Sequence, residues 1–259
     1  MSHQIKRKLA NKESTIGSWL SIPNVNITEM MARLGQFEWL VVDMEHTGIS
    51  SETMGQMIQV IDLAGVSAFV RVGSNDPLQI KRALDCGAKG IIVPQVNSRE
   101  EAQRVVDSVY YPPIGKRGVG LFRAQGYGTS FDYYKENVAP EIVVIVQIEH
   151  KDAVDQLDEI VSVPGVDAFM IGPYDLSGSF GKPGDFTAPE VAASLNKAKR
   201  FCQTSDKAGG IHVVHTDRAS LASNIEQGFR FIAYGTDMIF LAEKLSEVTT
   251  DLKIVTNKY

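Results

Sequence analysis

The chain has 259 residues, 44% apolar and 22% charged, with 26 basic against 31 acidic side chains and a formal charge of −5. A compact chain of this length buries about three quarters of its unfolded surface, so it needs no disulfide or metal staple to fold. Cys86 and Cys202 lie far apart with no CxxC pairing, which excludes a disulfide framework and a thiolate zinc site.

Mild acidity without a basic stripe argues against a nucleic-acid partner. No apolar run approaches the roughly 18 residues needed to span a bilayer. Residues 1–11 are polar and lack the apolar core of a signal peptide, so a cytoplasmic protein is expected.

Strand-like and helix-like segments then alternate along the chain. A strand at 15–20 precedes a helix at 27–34, a strand at 39–44 a helix at 51–64, and a strand at 67–72 a helix at 77–86. A strand at 90–94 leads to a helix at 98–109, and after a long interruption a strand at 142–149 leads to a helix at 151–161. The last three pairs are strand 167–171 with helix 189–208, strand 210–214 with helix 216–227, and strand 229–234 with helix 236–256. The runs LVVDM, IIVPQ and VVIVQIE are nearly continuous in apolar residues, which suits parallel strands covered on both faces. Asp76 before Pro77, Ser98 with Glu101, and Gly after the last periodic residue in CGAKG supply start and stop signals for helices.

Eight such units predict an α/β fold, a (β/α)8 TIM barrel occupying 1–259 as one domain, with a doubly wound sheet as the alternative. The interruption at about 110–140 reads as an ordered excursion, a lid or a subunit contact.

In such a barrel the chemistry stands at the carboxyl ends of the strands. The second strand ends in Asp43, Glu45 and His46, the third in Arg71, the fourth in Pro94 and Gln95, and the fifth in Gln147, Glu149 and His150. The sixth runs into Gly172, Pro173, Tyr174 and Asp175, the seventh into His212 and His215, and the eighth into Gly235 and Asp237. Carboxylates on adjacent strands, Glu149 and Asp175, suit Mg2+ or Mn2+. Arg71 is a natural bidentate clamp for a substrate carboxylate, and His46 the natural general base. Carboxylates at strand ends also cap helices, and a structural role is expected for at least one of His212 and His215. Lysine at strand ends, GxSxG and the Walker A pattern are absent, which removes Schiff-base, serine-hydrolase and P-loop chemistry.

These residues lie in motifs that resemble one family over nearly the whole chain: GSWLS, WLVVDMEH, FVRV, IKRALDCGAKGIIVPQVNS, YPPIGKRGVG, VQIE, IGPYDLSGSFGKPG and AYGTD, in that order. The family is the HpcH/HpaI group of class II, metal-dependent pyruvate aldolases. The resemblance implies reversible cleavage of a 4-hydroxy-2-oxo acid to pyruvate and an aldehyde, through a pyruvate enolate stabilised by Mg2+, Mn2+ or Co2+, with no organic cofactor. Residue by residue, it implies Glu149 and Asp175 as metal ligands, and Arg71 and Gln147 as holding the pyruvate part, with Pro173 and Tyr174 beside its carboxylate. His46 is implied as acid/base, supported by Asp85, with Asp43 near the hydroxyl formed from the aldehyde. It also implies a homo-oligomer, a hexamer with an exchanged C-terminal helix.

Tyr174 stands where the family usually has a small residue, and His212 and His215 where apolar residues are usual, while the loop 120–128 adds Phe122 and Tyr127. These departures point to a different aldehyde. The alternatives are a citryl-CoA or malyl-CoA type lyase, which would need a basic groove built on Lys116, Arg117 and Arg123, or a barrel without catalysis.

Overall fold

The apolar runs fold as eight parallel strands that pair in chain order and close on themselves in the computed structural model, which describes residues 2–256. Met1, the first residue of the polar N-terminal stretch, lies outside the described residues. The strands are β1 (Thr15–Leu20), β2 (Trp39–Asp43), β3 (Ser67–Arg71), β4 (Gly90–Val93), β5 (Val143–Ile148), β6 (Ala168–Ile171), β7 (Ala208–Val213) and β8 (Phe229–Thr236). This is the (β/α)8 barrel, and the doubly wound sheet falls away because β8 pairs with β1.

Around it lie α1 (Ser2–Ala10), α2 (Val25–Leu34), α3 (Ser51–Leu63), α4 (Pro77–Cys86), α5 (Arg99–Val109) and the single turn α6 (Phe131–Tyr133). Then follow α7 (Lys151–Asp155), α8 (Leu157–Val161), α9 (Pro173–Ser179), α10 (Pro189–Thr204), α11 (Arg218–Glu226) and α12 (Asp237–Thr256). The start and stop signals act as expected at α4, where the Asp76 carboxylate accepts the amides of Leu78 and Gln79, and Gly87 ends the helix at φ 110°. At α5 Ser98 accepts the amide of Glu101, but the Glu101 carboxylate turns to the amide of Asn97, so the capping box is not reciprocal.

Period-two alternation fills the barrel. Trp39 and Phe231 stack at 3.9 Å with Phe69 beside them, and a side chain at Gly17 would collide with the Trp39 ring at 2.1 Å. Below this aromatic layer Ile5 and Leu9 of α1 close the amino-terminal mouth against Val143, Ala168 and Ala208. That helix was not expected, because its two buried apolar residues, four apart, are outnumbered by polar ones.

Other differences are local. The helix expected at 151–161 breaks at Gln156 into α7 and α8. β7 begins at Ala208 rather than 210, because Gly209 and Gly210 pair with β6 while carrying no apolar signal. The excursion after α5 is ordered, held by buried Arg117, which donates to the Asp85 carboxylate (2.6 Å) and the Tyr134 hydroxyl (3.0 Å). Both its ends lie at the amino-terminal rim, since it joins the end of α5 to the start of β5. Its middle runs back along α3 and α4, where Lys116 and Gly118 border Asn75 and Leu78, and Phe122 and Arg123 border Ser51 and Glu52.

Candidate active site

The alternation that buries Trp39, Phe69 and Ile145 carries on up each strand, so β2 brings Asp43 to the carboxyl-terminal mouth, β3 Arg71, β5 Gln147 and then Glu149, and β7 His212. These residues surround a cavity of about 710 Å³. Asp43, His46, Arg71, Gln147, Pro173, Tyr174 and Asp175 line it, and buried Glu149 stands behind Gln147 and Gly172.

Arg71 is the hub. Its Nε and Nη2 donate to the two Asp43 oxygens at 2.9 and 2.7 Å, its Nη1 lies 3.2 Å from Glu45, and its guanidinium carbon sits 4.4 Å over the Trp19 ring. Asp43 also accepts the amides of Glu45 and His46, which ties the chain after β2 to its strand end. The fork expected to clamp a substrate carboxylate thus already holds Asp43, leaving the outer guanidinium N–H groups for a ligand.

Glu149 is held by the Gln95 amide (2.8 Å) and the Gln147 side-chain amide, and Gln147 Oε1 is left buried without a partner. Gln95 donates from a left-handed backbone, φ 53°, at a non-glycine position, strain of the kind that concentrates at functional sites. Burial, with the charges of Glu45 and Asp175, pushes the Glu149 carboxyl up to about 7. Burial likewise takes Glu45 to about 7 against the pull of Arg71. Glu45 Oε2 also lies 3.5 Å from His46 Nε2, so it can orient that ring. Four carboxylates, Asp43, Glu45, Glu149 and Asp175, face the single guanidinium of Arg71.

That excess of negative charge, with the orphaned Gln147 oxygen, fits a divalent cation held by Glu149 and Asp175. Among the described residues no group of three or more His, Cys, Asp or Glu side chains could hold a metal. A hard cation that keeps several waters and takes oxygens from its substrate needs only one or two carboxylates.

Asp85 is not brought to His46 within the chain. It lies in the last turn of α4, towards the amino-terminal rim, and its carboxylate is engaged by Arg117 and the Gln125 amide. Tyr174 leaves the inner pocket open: it is 58% exposed and packs edge-on against Phe186 at 5.1 Å. His212 Nε2 donates to the Gly235 carbonyl at 3.1 Å, and its ring lies 5.8 Å from Trp19. Burial takes its pKa down to about 4, so it is neutral at pH 7. His215 points away, exposed and paired with Glu243 of α12.

Trp19 and Gln95 belong to the site but received no role from the sequence. Trp19 could have been found from its inward parity on the first strand. The backbone conformation of Gln95 leaves no mark on composition.

The model of the HpcH/HpaI aldolase/citrate lyase family matches residues 15–243. The chain is 36% identical over 246 residues to a 2-dehydro-3,6-dideoxy-6-sulfogluconate aldolase of Pseudomonas putida, covering 95% of each chain. It is 38% identical over 241 residues to a pyruvate aldolase of Rhizobium etli, covering 93% of each. A solved HpcH/HpaI aldolase/citrate lyase family protein from Burkholderia cenocepacia J2315 superposes with a TM-score of 0.90 at 29% identity, over 97% of this chain and 99% of that one. By a family match that runs from β1 into α12, and by relatives this similar over almost their whole length, the chain belongs to the HpcH/HpaI aldolase/citrate lyase family.

Proposed function

We propose that the chain is a pyruvate aldolase that cleaves a 4-hydroxy-2-oxo acid, reversibly, to pyruvate and an aldehyde, with a divalent metal such as Mg2+, Mn2+ or Co2+. The observation that carries this reading is the convergence, at one barrel mouth, of Arg71 locked to Asp43 with a surplus of carboxylates on the adjoining strands.

Glu149 and Asp175 would hold the cation, which when bound supplies the positive charge that stabilises a developing enolate oxygen. The outer N–H groups of Arg71 and the side chain of Gln147 orient the 2-oxo acid, and Pro173 and Tyr174 at the start of α9, of which only Tyr174 carries a backbone N–H, border its carboxylate. His46, oriented by Glu45, takes the C4 hydroxyl proton as the C3–C4 bond breaks, and Asp43 sits near that hydroxyl. The bonding electrons pass to the pyruvate enolate, whose C3 then takes up a proton.

Asp85 can serve His46 only from a second copy of the chain. α12 supports such an assembly, because Met238, Leu241, Leu245, Val248, Leu252 and Val255 form an exposed apolar stripe at spacings of three and four. A homo-oligomer with this helix exchanged, hexameric by family resemblance, would cover it.

The CoA-lyase reading is disfavoured by the fate of its cations. Lys116, Arg117 and Arg123 pair with Asp107, Asp85 and Asp62 at the opposite rim. The test is pyruvate release from a panel of 4-hydroxy-2-oxo acids before and after exhaustive chelation. Release that stops with EDTA and returns with Mg2+ or Mn2+ is expected. Release that survives would overturn the metal assignment, and none from any substrate with metal present would overturn the aldolase reading.

A further inference from the structure

Among the described residues, Lys12, Gln36, Gln95 and Tyr127 have a left-handed backbone without being glycine. Lys12 and Gln36 follow helices and Tyr127 belongs to the excursion, so Gln95 alone of these stands past the carboxyl end of a strand. The conformation is costly for a residue with a β-carbon, least so for asparagine and aspartate, and glycine adopts it freely. The Gln95 side chain is exposed and makes no hydrogen bond to the described residues, so it does nothing to offset that cost.

The reason for the strain lies in the backbone. β4 stays in register with β5 as far as Val93 and Val146, and there the pairing stops. Two residues on, with φ at 53°, the Gln95 amide is aimed at Glu149 Oε1 and donates to it at 2.8 Å, while the Val96 amide returns to the Gln147 carbonyl at 3.4 Å. Glu149 Oε2 is held separately, by the side-chain amide of Gln147. These two tethers differ in kind. Gln147 is a side chain on the cavity wall and can rotate towards a 2-oxo acid, whereas a main-chain amide fixed by its φ stays where it is. An oxygen that accepts one N–H keeps a second lone pair for a cation, and contacts of this sort orient a metal-binding carboxylate.

We infer that Gln95 is a positioning residue for the metal ligand Glu149, acting through its left-handed backbone and its amide rather than through its side chain. The inference rests on the aldolase reading above, in which Glu149 binds the cation. It makes the amide the tether that remains when Gln147 turns to the substrate.

The experiment measures the dissociation constant of Mn2+ by electron paramagnetic resonance, with no substrate present, so that turnover plays no part. Replacing Gln95 by its α-hydroxy analogue turns the peptide bond after Pro94 into an ester, which deletes this one N–H and keeps the side chain. Mn2+ affinity should then fall by about tenfold or more. Gln95→Pro, which lacks the same N–H, should show the same loss. Gln95→Gly and Gln95→Asn keep the N–H and accept a positive φ, so both should stay within about twofold of the wild type. An unchanged affinity in the ester form, or a loss in Gln95→Gly as large as that in the ester form, would overturn the inference. Glu149→Gln separates it from the reading beneath it. Wild-type protein that binds Mn2+ no more tightly than Glu149→Gln sinks the metal assignment and the inference with it, whereas a Glu149-dependent affinity that the ester leaves unchanged sinks the inference alone.

Discussion

Gly172 shows how closely the site is fitted. A β-carbon there would lie 2.7 Å from Glu149 Oε2 and 2.9 Å from Glu149 Cβ, and these atoms cannot retreat because the Gln95 and Gln147 amides hold the carboxylate. Gly172→Ala should therefore cost about 1–3 kcal/mol in urea unfolding and lower kcat at least tenfold. Wild-type values for both would show that the wall yields. His212 gives a pH dependence of definite sign. Its folded pKa of about 4 lies below the unfolded value, so from pH 6.5 down to 4 the unfolded chain binds a proton that the native state refuses. Its contribution is fully present above pH 6.5 and is lost as pH falls towards 4, by about 1–3 kcal/mol once partial exposure is allowed for. Unfolding free energies at pH 7 and 4.5 should accordingly converge for wild type and His212→Leu on acidification, and a constant gap would contradict the assignment.

Among the elements, α1 carries the clearest energetic prediction. Lys6 Nζ reaches the Tyr110 hydroxyl at 3.0 Å, the carbonyls of Pro140 and Ile142, and the Asp167 carboxylate at 3.2 Å. Lys6→Met leaves Asp167 buried with the Val144 amide and no neighbouring Lys6 charge, and should cost about 2–4 kcal/mol in chemical denaturation. Adding Asp167→Asn should recover part of that loss, and no recovery would mean that the ion pair is not the cause. Neither α1 nor this pairing was legible in the sequence, because Lys6 and Asp167 look like ordinary surface charges until the barrel closes. The strands were legible because burial on both faces leaves continuous apolar runs such as LVVD and VVIV. The polar residues at their carboxyl ends, Asp43, Arg71 and Gln147, were legible by parity. What the sequence did not reveal depends on side chains meeting across strands: the capture of Arg71 by Asp43, and the placing of Asp85 among the residues of the excursion rather than beside His46.

For the whole molecule, the decisive surface is α12. A 20-residue helix whose one buried residue is Asp237 gains little from its own barrel, and an apolar stripe of this length left in water is costly. Leu245→Asp with Leu252→Asp should reduce the mass measured by light scattering to that of a smaller assembly, and an unchanged mass would show that the stripe does not hold copies together. The seating of α1 also bears on the order of folding. Lys6 and its carbonyl partner Ile142 are 136 positions apart, and the floor on which Ile5 and Leu9 rest includes Val143, Ala168 and Ala208. The seat of α1 is therefore complete only when β5, β6 and β7 are in place. Contacts made this late are absent from the folding transition state, so weakening them should speed unfolding while leaving the folding rate almost unchanged. The amino-terminal plug thus acts as the latch on an already closed barrel, governing how long the native state lasts rather than how fast it is reached.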